Sequence, residues 1–191
     1  MIKIKHRVIR YLDIVFSITG LVVFSPILLP LIFVDSLTDK SILFRQERLG
    51  KNKRIFTLYK IRTMKIDTKS LPSHMVDITS VTSVGKILRK FKIDELPQLF
   101  NVLEGSMSFV GPRPCLKSQE KLIIEREKYN VFDYKPGITG LAQINCIDMS
   151  KPELLAKTDS EMMKKFDIKS YFIYIFKTLI GAGFGDRVKE K

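Results

Sequence analysis

Three residue types are scarce or missing in this sequence, and each absence excludes a class of protein. The two cysteines, Cys115 and Cys146, form no Cys-x-x-Cys pair, which excludes a disulfide framework and indicates free thiols in a reducing compartment. No alanine precedes Ala142, so the apolar N-terminal segment lacks the A-x-A-like site at which a signal peptide is cleaved. Tryptophan is absent, and no repeat or low-complexity tract indicates a fibrous or disordered chain.

Acidic residues are few relative to basic ones. With 191 residues, of which 45% are hydrophobic, the chain has the size and composition of one domain with a sizeable core. Its formal net charge of +13 predicts an anionic partner, which can be nucleic acid, an acidic membrane surface or a phosphorylated small molecule. The charge alone does not choose among these three.

An apolar segment from Tyr11 to Val34 has the length and flanking charge of a membrane segment. Pro26 removes a helical hydrogen bond within it, which predicts a kink. At about 1.5 Å per residue, the halves before and after Pro26 reach roughly 22 and 14 Å, against a hydrocarbon core of about 30 Å. Neither half is long enough to cross a bilayer alone.

Basic residues on both flanks of this segment favour one topology. They are Lys3, Lys5, His6, Arg7 and Arg10 on one side and Arg45, Arg48, Lys51, Lys53 and Arg54 on the other. Because basic flanks stay in the cytoplasm, residues 1–40 are predicted to form a re-entrant helix hairpin, bent near Ser25 and Pro26. We expect Asp13 at the headgroup level, close to Arg10. A kinked helix that spans the bilayer is the alternative.

The rest of the chain, residues 41–191, predicts an α+β region that is mainly helical. Apolar alternation predicts a β-hairpin over Ser41–Met64, followed by a polar loop over residues 65–81. Helical periodicity or a helix-start signal predicts five helices, around Val84–Phe91, from Asp94 onward, over Leu116–Tyr129, over Glu153–Phe166 and over Tyr171–Ile180. The first can lie on a membrane or cover the core, and the last is typical of an interfacial helix.

Two adjacent carboxylates, Asp94 and Glu95, precede Pro97. Proline is tolerated in a first helical turn, so we expect Asp94 at or beside the N-cap and Glu95 in the first turn. The simplest interpretation is helix capping. A helix start also attracts phosphate, and two carboxylates there require a divalent cation such as Mg²⁺, with Arg89 and Arg113 as further cations. An aspartate in this setting can attack phosphorus and form an acyl phosphate.

Two further segments combine glycine with proline. Residues Gly111–Pro114 place Arg113 between Pro112 and Pro114, which predicts a rigid turn that presents one arginine, although a plain loop is equally compatible. Residues Pro136–Gln143 predict a turn that runs into a strand or helix. This second segment is a weak phosphate-loop signal, because it lacks the Walker spacing and its lysine.

Five segments, taken in order, resemble the bacterial sugar transferase family, the monotopic phosphoglycosyl transferases that start polysaccharide and glycoprotein glycan assembly. They are FRQERLG at Phe44–Gly50, LYKIRTM at Leu58–Met64, DELPQL at Asp94–Leu99, GSMSFVGPRP at Gly105–Pro114 and KPGITGLAQ at Lys135–Gln143. One motif is weak, but the ordered set covers nearly the whole chain and is specific. The chain also has the length of the family's minimal catalytic unit.

The resemblance implies that residues 41–191 form a cytoplasmic catalytic domain on the bacterial inner membrane. It would move a sugar 1-phosphate from a UDP-sugar to polyprenyl (undecaprenyl) phosphate, releasing UMP, through a covalent intermediate on Asp94. Glu95, together with Asp94, would bind Mg²⁺. The implied substrate-binding residues are Lys60, Arg62, Arg89, Pro112, Arg113, Pro114, Gln143 and Asp159. Inner-membrane lipid is an expected partner and nucleic acid is not, while the sugar and a homo-oligomeric state are left open.

The sequence departs from the family at four positions and leaves other functions open. An aromatic residue is common in place of Leu141, glycine in place of Cys146, arginine in place of Ile147 and phenylalanine in place of Ile61. Losing that arginine would remove a phosphate ligand or change sugar selection. The alternatives are a basic membrane- or nucleic-acid-binding module whose carboxylates only cap a helix, a metal-dependent phosphohydrolase, and a transferase that uses a ternary complex without a covalent step.

Overall fold

The computed structural model of the chain describes residues 2–37, 42–66, 68 and 78–183. These residues form an α+β fold that is mainly helical, as predicted, with two small two-stranded sheets. The elements are α1 Ile2–Val23, α2 Ser25–Leu37, β1 Leu43–Leu49, β2 Ile55–Ile61, α3 Ser83–Lys90, α4 Gln98–Glu104, β3 Ser108–Val110, α5 Glu120–Lys128, β4 Gly137–Thr139, α6 Leu141–Ile144, α7 Pro152–Lys164 and α8 Ile168–Leu179. Most of the predicted loop over residues 65–81 lies outside the described residues.

A sharp bend separates α1 from α2. The axes of Arg7–Val23 and Ser25–Asp35 differ by 74°. Pro26 cannot donate to the Val22 carbonyl four residues earlier, and the Ser25 hydroxyl donates there instead at 2.7 Å. In the described part of the chain, no single helix is long and apolar enough to cross a membrane. The two helices of this bent pair reach that length and composition only when they are counted together. The break therefore falls beside the predicted serine and proline.

Two polar side chains of α1 attach this helix to the rest of the fold. Arg10 donates hydrogen bonds to two carbonyl oxygens near the end of α4. Asp13 is buried, and its Oδ1 accepts hydrogen bonds from the hydroxyls of Ser108 and Tyr171 and the N–H of Phe109, at 3.1, 2.9 and 3.2 Å. Asp13 is therefore held inside the protein by buried donors of β3 and α8, with Arg10 close enough to act on its charge as expected, and its predicted position at headgroup level stays a prediction.

The main hydrophobic core also includes α1. Its buried members are Ile9, Val110, Met162, Phe166 and Tyr171. They come from α1, β3, the end of α7 and α8, so the N-terminal helix packs into the same core as the residues after position 41. Burial of this apolar surface is the main favourable contribution to folding.

The predicted β-hairpin is confirmed. β1 and β2 pair antiparallel, with Phe44 opposite Lys60. A two-stranded hairpin leaves the outer edge of β2 unpaired, and α4 covers that edge. Asn101 of α4 donates to the Thr57 carbonyl oxygen at 2.7 Å and accepts from the Tyr59 N–H at 3.1 Å. This clamp holds α4 beside β2.

The second sheet, formed by β3 and β4, is not predicted from the sequence. β3 and β4 pair in parallel, with Ser108 opposite Gly137 and Val110 opposite Thr139. Strands of three residues are too short to show alternation in the sequence. Gly137 permits the close approach, because a Cβ there would lie 2.0 Å from the backbone nitrogen of Gly111. The predicted turn into a strand or helix thus becomes β4 followed by α6.

The remaining predicted helices are present with shifted ends. α3, α7 and α8 lie where periodicity placed them, whereas α5 begins at Glu120 instead of Leu116. The Gln119 side chain accepts a hydrogen bond from the Leu116 N–H at 2.8 Å, which forms a turn before the helix. α8 starts with a capping box between Asp167 and Ser170.

Candidate active site

Asp94 and Glu95 lie in a 3₁₀ turn, Ile93–Glu95, that precedes α4. Lys92 adopts a left-handed conformation, with φ of 56°, as the chain enters this turn. Pro97 is the N-cap of α4, so the expectation that Asp94 stands at or beside the N-cap is wrong by three residues. The tight turn buries both carboxyl side chains, which belong to residues 4% and 6% exposed.

The Glu95 carboxylate binds two cations. Its Oε1 lies 2.8 Å from Arg113 Nη2 and 3.5 Å from Lys60 Nζ. The Lys60 side chain is buried, and the Arg113 side chain is 21% exposed. Lys60 and Arg113 are therefore neighbours of Glu95, and Asp94 precedes Glu95 in the same turn; we call these four predicted residues the Glu95 cluster.

Backbone hydrogen bonds hold the loop that carries Arg113. The Gly111 N–H donates to the Thr139 carbonyl oxygen, and the Gly137 N–H donates to the Pro112 carbonyl oxygen, both at 2.9 Å. These contacts tie the loop to β4 on both sides of its first proline. The arginine is thus fixed by the second sheet.

The far end of the same loop is held by β1. Arg48 of that strand donates from Nη1 to the Pro114 carbonyl oxygen at 3.0 Å. The predicted rigid turn at Gly111–Pro114 therefore has a structural basis in two anchors, one on each proline.

Arg89 and Arg62 occupy different places relative to the cluster. Arg89 Nε donates to the Thr63 hydroxyl at 2.8 Å, three residues after Lys60. Gly85 allows α3 to approach this segment, because a Cβ there would lie 2.1 Å from the Thr63 carbonyl oxygen. Arg62 instead stacks on the Phe44 ring, 5.2 Å from its centroid. Arg89 of α3 therefore contacts the segment that follows Lys60, whereas Arg62 lies on that segment and faces β1.

Gln143 supports the arginine loop, whereas Asp159 lies in a separate interface. Gln143 Nε2 donates to the Gly111 carbonyl oxygen at 3.1 Å. Asp159 on α7 is fully buried and forms an ion pair with Arg126 on α5, with Oδ2 and Nη2 3.0 Å apart. Burial raises the pKa of Asp159 to about 6, against the opposing effect of the arginine. The structure thus pairs Asp159 with α5 rather than with the Glu95 cluster.

Three residues near the site are not among the predicted site residues: Arg48, Lys92 and Gly183. Lys92 Nζ donates to the Ala182 carbonyl oxygen at 3.2 Å. A Cβ on Gly183 would lie 2.3 Å from the Gln143 carbonyl oxygen, so the chain after α8 passes close to α6. Arg48 lies inside the motif at Phe44–Gly50 and could have been considered on that basis. No local signal marks the Lys92 contact, which joins residues 90 positions apart.

The Glu95 cluster contains two cationic and two anionic side chains, and Arg89 contacts the segment after Lys60. Lysine and arginine side chains in such a place can bind the oxygens of a phosphorylated ligand. Among the described residues, no three His, Cys, Asp or Glu side chains come together as a metal site. Asp94 and Glu95 are two carboxylates, the number that Mg²⁺ uses when substrate phosphates and water complete its shell. The residues therefore fit a Mg²⁺ ion that binds together with a phosphate ligand.

Comparisons with known proteins match nearly the whole chain. Galactosyl transferase CpsE of Streptococcus agalactiae serotype III is 34% identical over 208 residues, which cover 95% of this chain and 44% of the relative. UDP-glucose:undecaprenyl-phosphate glucose-1-phosphate transferase of Klebsiella pneumoniae is 38% identical over 187 residues, covering 90% and 40%. UDP-N-acetylgalactosamine-undecaprenyl-phosphate N-acetylgalactosaminephosphotransferase of Aeromonas hydrophila is 32% identical over 192 residues, covering 93% and 44%.

The chain spans less than half the length of these three relatives. The sequence profile described as bacterial sugar transferase matches residues 4–184, which is nearly the whole of this chain. The five ordered motifs, the relatives and this profile agree. The chain therefore belongs to the bacterial sugar transferase family.

Proposed function

We propose that this protein is a phosphoglycosyl transferase that moves a sugar 1-phosphate from a UDP-sugar to undecaprenyl or another polyprenyl phosphate and releases UMP. The observation that carries the proposal is the Glu95 cluster, in which the buried Glu95 carboxylate binds two cations from distant segments and the buried Asp94 is its neighbour in the chain. The names of the Klebsiella and Aeromonas relatives, which specify sugar-phosphate transfer to undecaprenyl phosphate, support it. The proposed product is the first lipid-linked intermediate of a glycan.

In the first half-reaction, a carboxylate oxygen of Asp94 attacks the sugar-bearing phosphorus of the donor. A new P–O bond to Asp94 forms, the P–O bond to UMP breaks, and UMP leaves with the bonding electrons. Lys60 and Arg113, with Arg89 at the margin, bind the diphosphate oxygens and stabilise their negative charge. The loop held by Pro112, Pro114 and Gln143 keeps the arginine in place.

In the second half-reaction, a phosphate oxygen of the polyprenyl phosphate attacks the same phosphorus. The P–O bond to Asp94 breaks, which regenerates the carboxylate and leaves the sugar on a diphosphate bridge to the lipid. One cationic site serves both phosphates in turn, which suits a water-soluble donor and a membrane-bound acceptor. Ping-pong kinetics are the expected signature.

Asp94 and Glu95 are the residues that would hold Mg²⁺. The ion would neutralise charge on the donor diphosphate, which two carboxylates would otherwise repel. Glu95 Oε1 is already bound by Arg113 and Lys60, so the protein offers the ion few ligands of its own. We expect transfer to stop in excess EDTA and to return when Mg²⁺ is added.

The same proposal places α1 and α2 in the cytoplasmic leaflet of the inner membrane as a re-entrant hairpin. It is supported by their 74° bend and by exposed apolar side chains on α2, α3 and α8, among them Phe33, Ile87 and Phe176. Arg7→Cys and Lys51→Cys in a cysteine-free background should both label only from the cytoplasm. Periplasmic labelling at either position would show a spanning helix instead.

The deciding experiment mixes the enzyme with a panel of labelled UDP-sugars and Mg²⁺, with and without polyprenyl phosphate. Without the acceptor, about one UMP per active site should be released and labelled phosphosugar should remain on Asp94. Asp94→Asn should show neither event. Asp133→Asn, which changes an exposed aspartate away from the cluster, is the matched control and should behave as wild type.

Two outcomes would contradict the proposal at different levels. Donor turnover only when the acceptor is present, with intersecting initial-rate lines, would indicate a ternary complex and return Asp94 to metal binding or base catalysis. Absence of UMP release with every donor and acceptor, while the protein still binds anionic membranes, would favour the binding-module alternative.

A further inference from the structure

The chain turns back toward the active site where α8 ends. Gly181 and Gly183 have φ values of 90° and 77°, in the left-handed region. The Gly181 N–H donates to the Thr178 carbonyl oxygen at 3.1 Å, and the Ala182 N–H donates to the Lys177 carbonyl oxygen at 2.8 Å. These two hydrogen bonds form a Schellman motif, which fixes the direction in which the chain leaves the helix. We call Ala182 and Gly183 the α8 extension.

The α8 extension contacts the turn that carries Asp94. Lys92, which enters that turn in a left-handed conformation, donates from Nζ to the Ala182 carbonyl oxygen at 3.2 Å. Lys92 is half-buried, so this hydrogen bond is partly shielded from water. The Lys92 side chain therefore connects the Asp94 turn with the end of α8.

The same extension contacts a residue that supports the arginine loop. A Cβ on Gly183 would lie 2.3 Å from the Gln143 carbonyl oxygen, so this approach requires a glycine. The Gln143 side chain in turn donates to the Gly111 carbonyl oxygen at 3.1 Å, at the start of the loop that presents Arg113. A change at Gly183 therefore acts on this loop through one intervening residue.

The last turn of α8 makes a further contact with the sheet that holds the arginine loop. The Thr178 hydroxyl donates to the Tyr174 carbonyl oxygen at 2.9 Å, so Thr139 is the donor in the hydrogen bond between the two threonine hydroxyls. The Thr139 carbonyl oxygen accepts a hydrogen bond from the Gly111 N–H. Helix α8 and its extension thus hold the arginine loop through two residues and the Asp94 turn through a third.

This connection differs from the ion pair that also joins the two segments. Glu95 and Arg113 lie 2.8 Å apart, but a phosphate ligand competes with Glu95 for the arginine. The contacts of Gly183 and Thr178 involve no charged group. They therefore remain when the ion pair opens for a ligand.

We propose that the α8 extension fixes the Asp94 carboxylate relative to Arg113 during phosphosugar transfer, with Lys92 and Gly183 as positioning residues. The inference rests on the proposed function, because it concerns the step in which Asp94 attacks the donor and UMP leaves. A displacement of about 1 Å between reacting groups can lower a rate about 100-fold. The extension thereby sets the rate of this step without contacting the substrate.

The burst of UMP that wild type releases without acceptor separates positioning from folding. Its amplitude counts active sites, whereas its rate constant reports the attack of Asp94. Gly183→Ala should lower the rate constant about tenfold or more and keep the wild-type amplitude, because its methyl group displaces the extension from Gln143. Gly181→Ala is the matched control, because it adds a methyl group at a left-handed residue with nothing within 4 Å, and it should keep the wild-type rate constant.

Lys92 provides a second test that introduces no clash. Lys92→Met should lower the burst rate constant about threefold or more, and Lys92→Arg, which retains a donor, should restore most of it. Lys86→Met removes an exposed charge from α3 and should behave as wild type. A wild-type rate constant in Lys92→Met would overturn the proposal, as would a folded Gly183→Ala variant with the wild-type rate constant. If Gly183→Ala does not fold, Lys92→Met decides alone.

Hydrogen–deuterium exchange tests the same contacts without substrate. The Glu95 N–H donates to the Lys92 carbonyl oxygen, and the Gly111 N–H donates to β4. Gly183→Ala should speed exchange at both positions, whereas Gly181→Ala should not. Unchanged exchange at both positions in Gly183→Ala would overturn the proposal. If wild type releases no UMP with any donor, the proposed function fails, while faster exchange at both positions still supports the connection through α8.

Discussion

Glu95 and Asp159 each form a short ion pair with an arginine, at 2.8 and 3.0 Å, but their surroundings differ. Glu95 also has Lys60 at 3.5 Å, and its arginine is 21% exposed. Asp159 and Arg126 are 0% and 2% exposed. We call Glu95–Arg113 the open pair and Asp159–Arg126 the sealed pair. The open pair can exchange partners when an anion binds, whereas the sealed pair joins α5 to α7. The same two functional groups therefore serve ligand binding in one place and helix packing in the other.

Burial decides the energetics of the sealed pair. Desolvation raises the pKa of Asp159 to about 6 even though Arg126 opposes the shift. Within the described structure, Asp159 Oδ1 and Arg126 Nε have no hydrogen-bond partner, so the pair is incompletely satisfied. A buried pair of this kind contributes little net stability, but removal of one member leaves a buried charge.

The largest expected effect follows from breaking the sealed pair. Arg126→Met should lower the free energy of unfolding at neutral pH by about 3–5 kcal/mol, because the buried Asp159 carboxylate loses its counter-ion. Replacing both residues, as Arg126→Met with Asp159→Leu, should restore stability to the wild-type level or above it. Thermal unfolding in detergent micelles measures both. A double variant as unstable as the single one would show that the pair itself stabilises the fold.

The pH dependence of stability sharpens the comparison. The pKa of Asp159 is higher in the folded state, at about 6, than its ordinary value of 3.8, so folding favours the protonated form. The stabilising contribution of this group is complete below about pH 4 and is lost as the pH rises through 6. A shift of about two units corresponds to about 3 kcal/mol. Unfolding curves from pH 4 to 8 should show this loss in wild type but not in the double variant; parallel curves would contradict it.

Breaking the open pair should affect activity more than folding. Glu95→Gln should lower kcat/KM about 100-fold, because the two cations lose the group that positions them for phosphate. Stability should change less, since the partly exposed Arg113 can turn toward solvent. Glu47→Gln is the matched control, because Glu47 pairs with Lys117 at 2.7 Å and is 64% exposed. Loss of stability equal to that of Arg126→Met would remove the distinction between the pairs.

The smallest expected effect concerns Cys146, which belongs to neither ion pair. Cys146 is exposed and has a φ of 58°, a left-handed conformation that costs a residue with a Cβ about 1 kcal/mol. Cys146→Gly should raise the free energy of unfolding by up to about that amount. Cys146→Ala retains the Cβ and should give no gain. Equal stability of the two variants would show that the backbone conformation carries no cost.

The glycine that the resemblance implies at position 146 would have a physical explanation in this conformation. The sequence alone showed the departure at Cys146 but not its backbone cost, because a left-handed residue after α6 depends on how that helix ends against its neighbours. The departure at Ile147 is different. Ile147 packs beside the cluster formed by Leu49, Cys115, Leu122, Ala142 and Leu155, so an apolar side chain there contributes to the core.

Local chemistry in the sequence determined the break at Pro26, the β-hairpin, the helices and the choice of Asp94, Glu95 and Arg113 as site candidates. Each of these follows from a missing N–H, from a periodicity or from a short motif, and all act within a few residues. The tertiary structure decided the environment of each charge. Asp13 became an acceptor for α8, and Asp159 joined Arg126, because desolvation and ion pairing depend on side chains that meet across the fold.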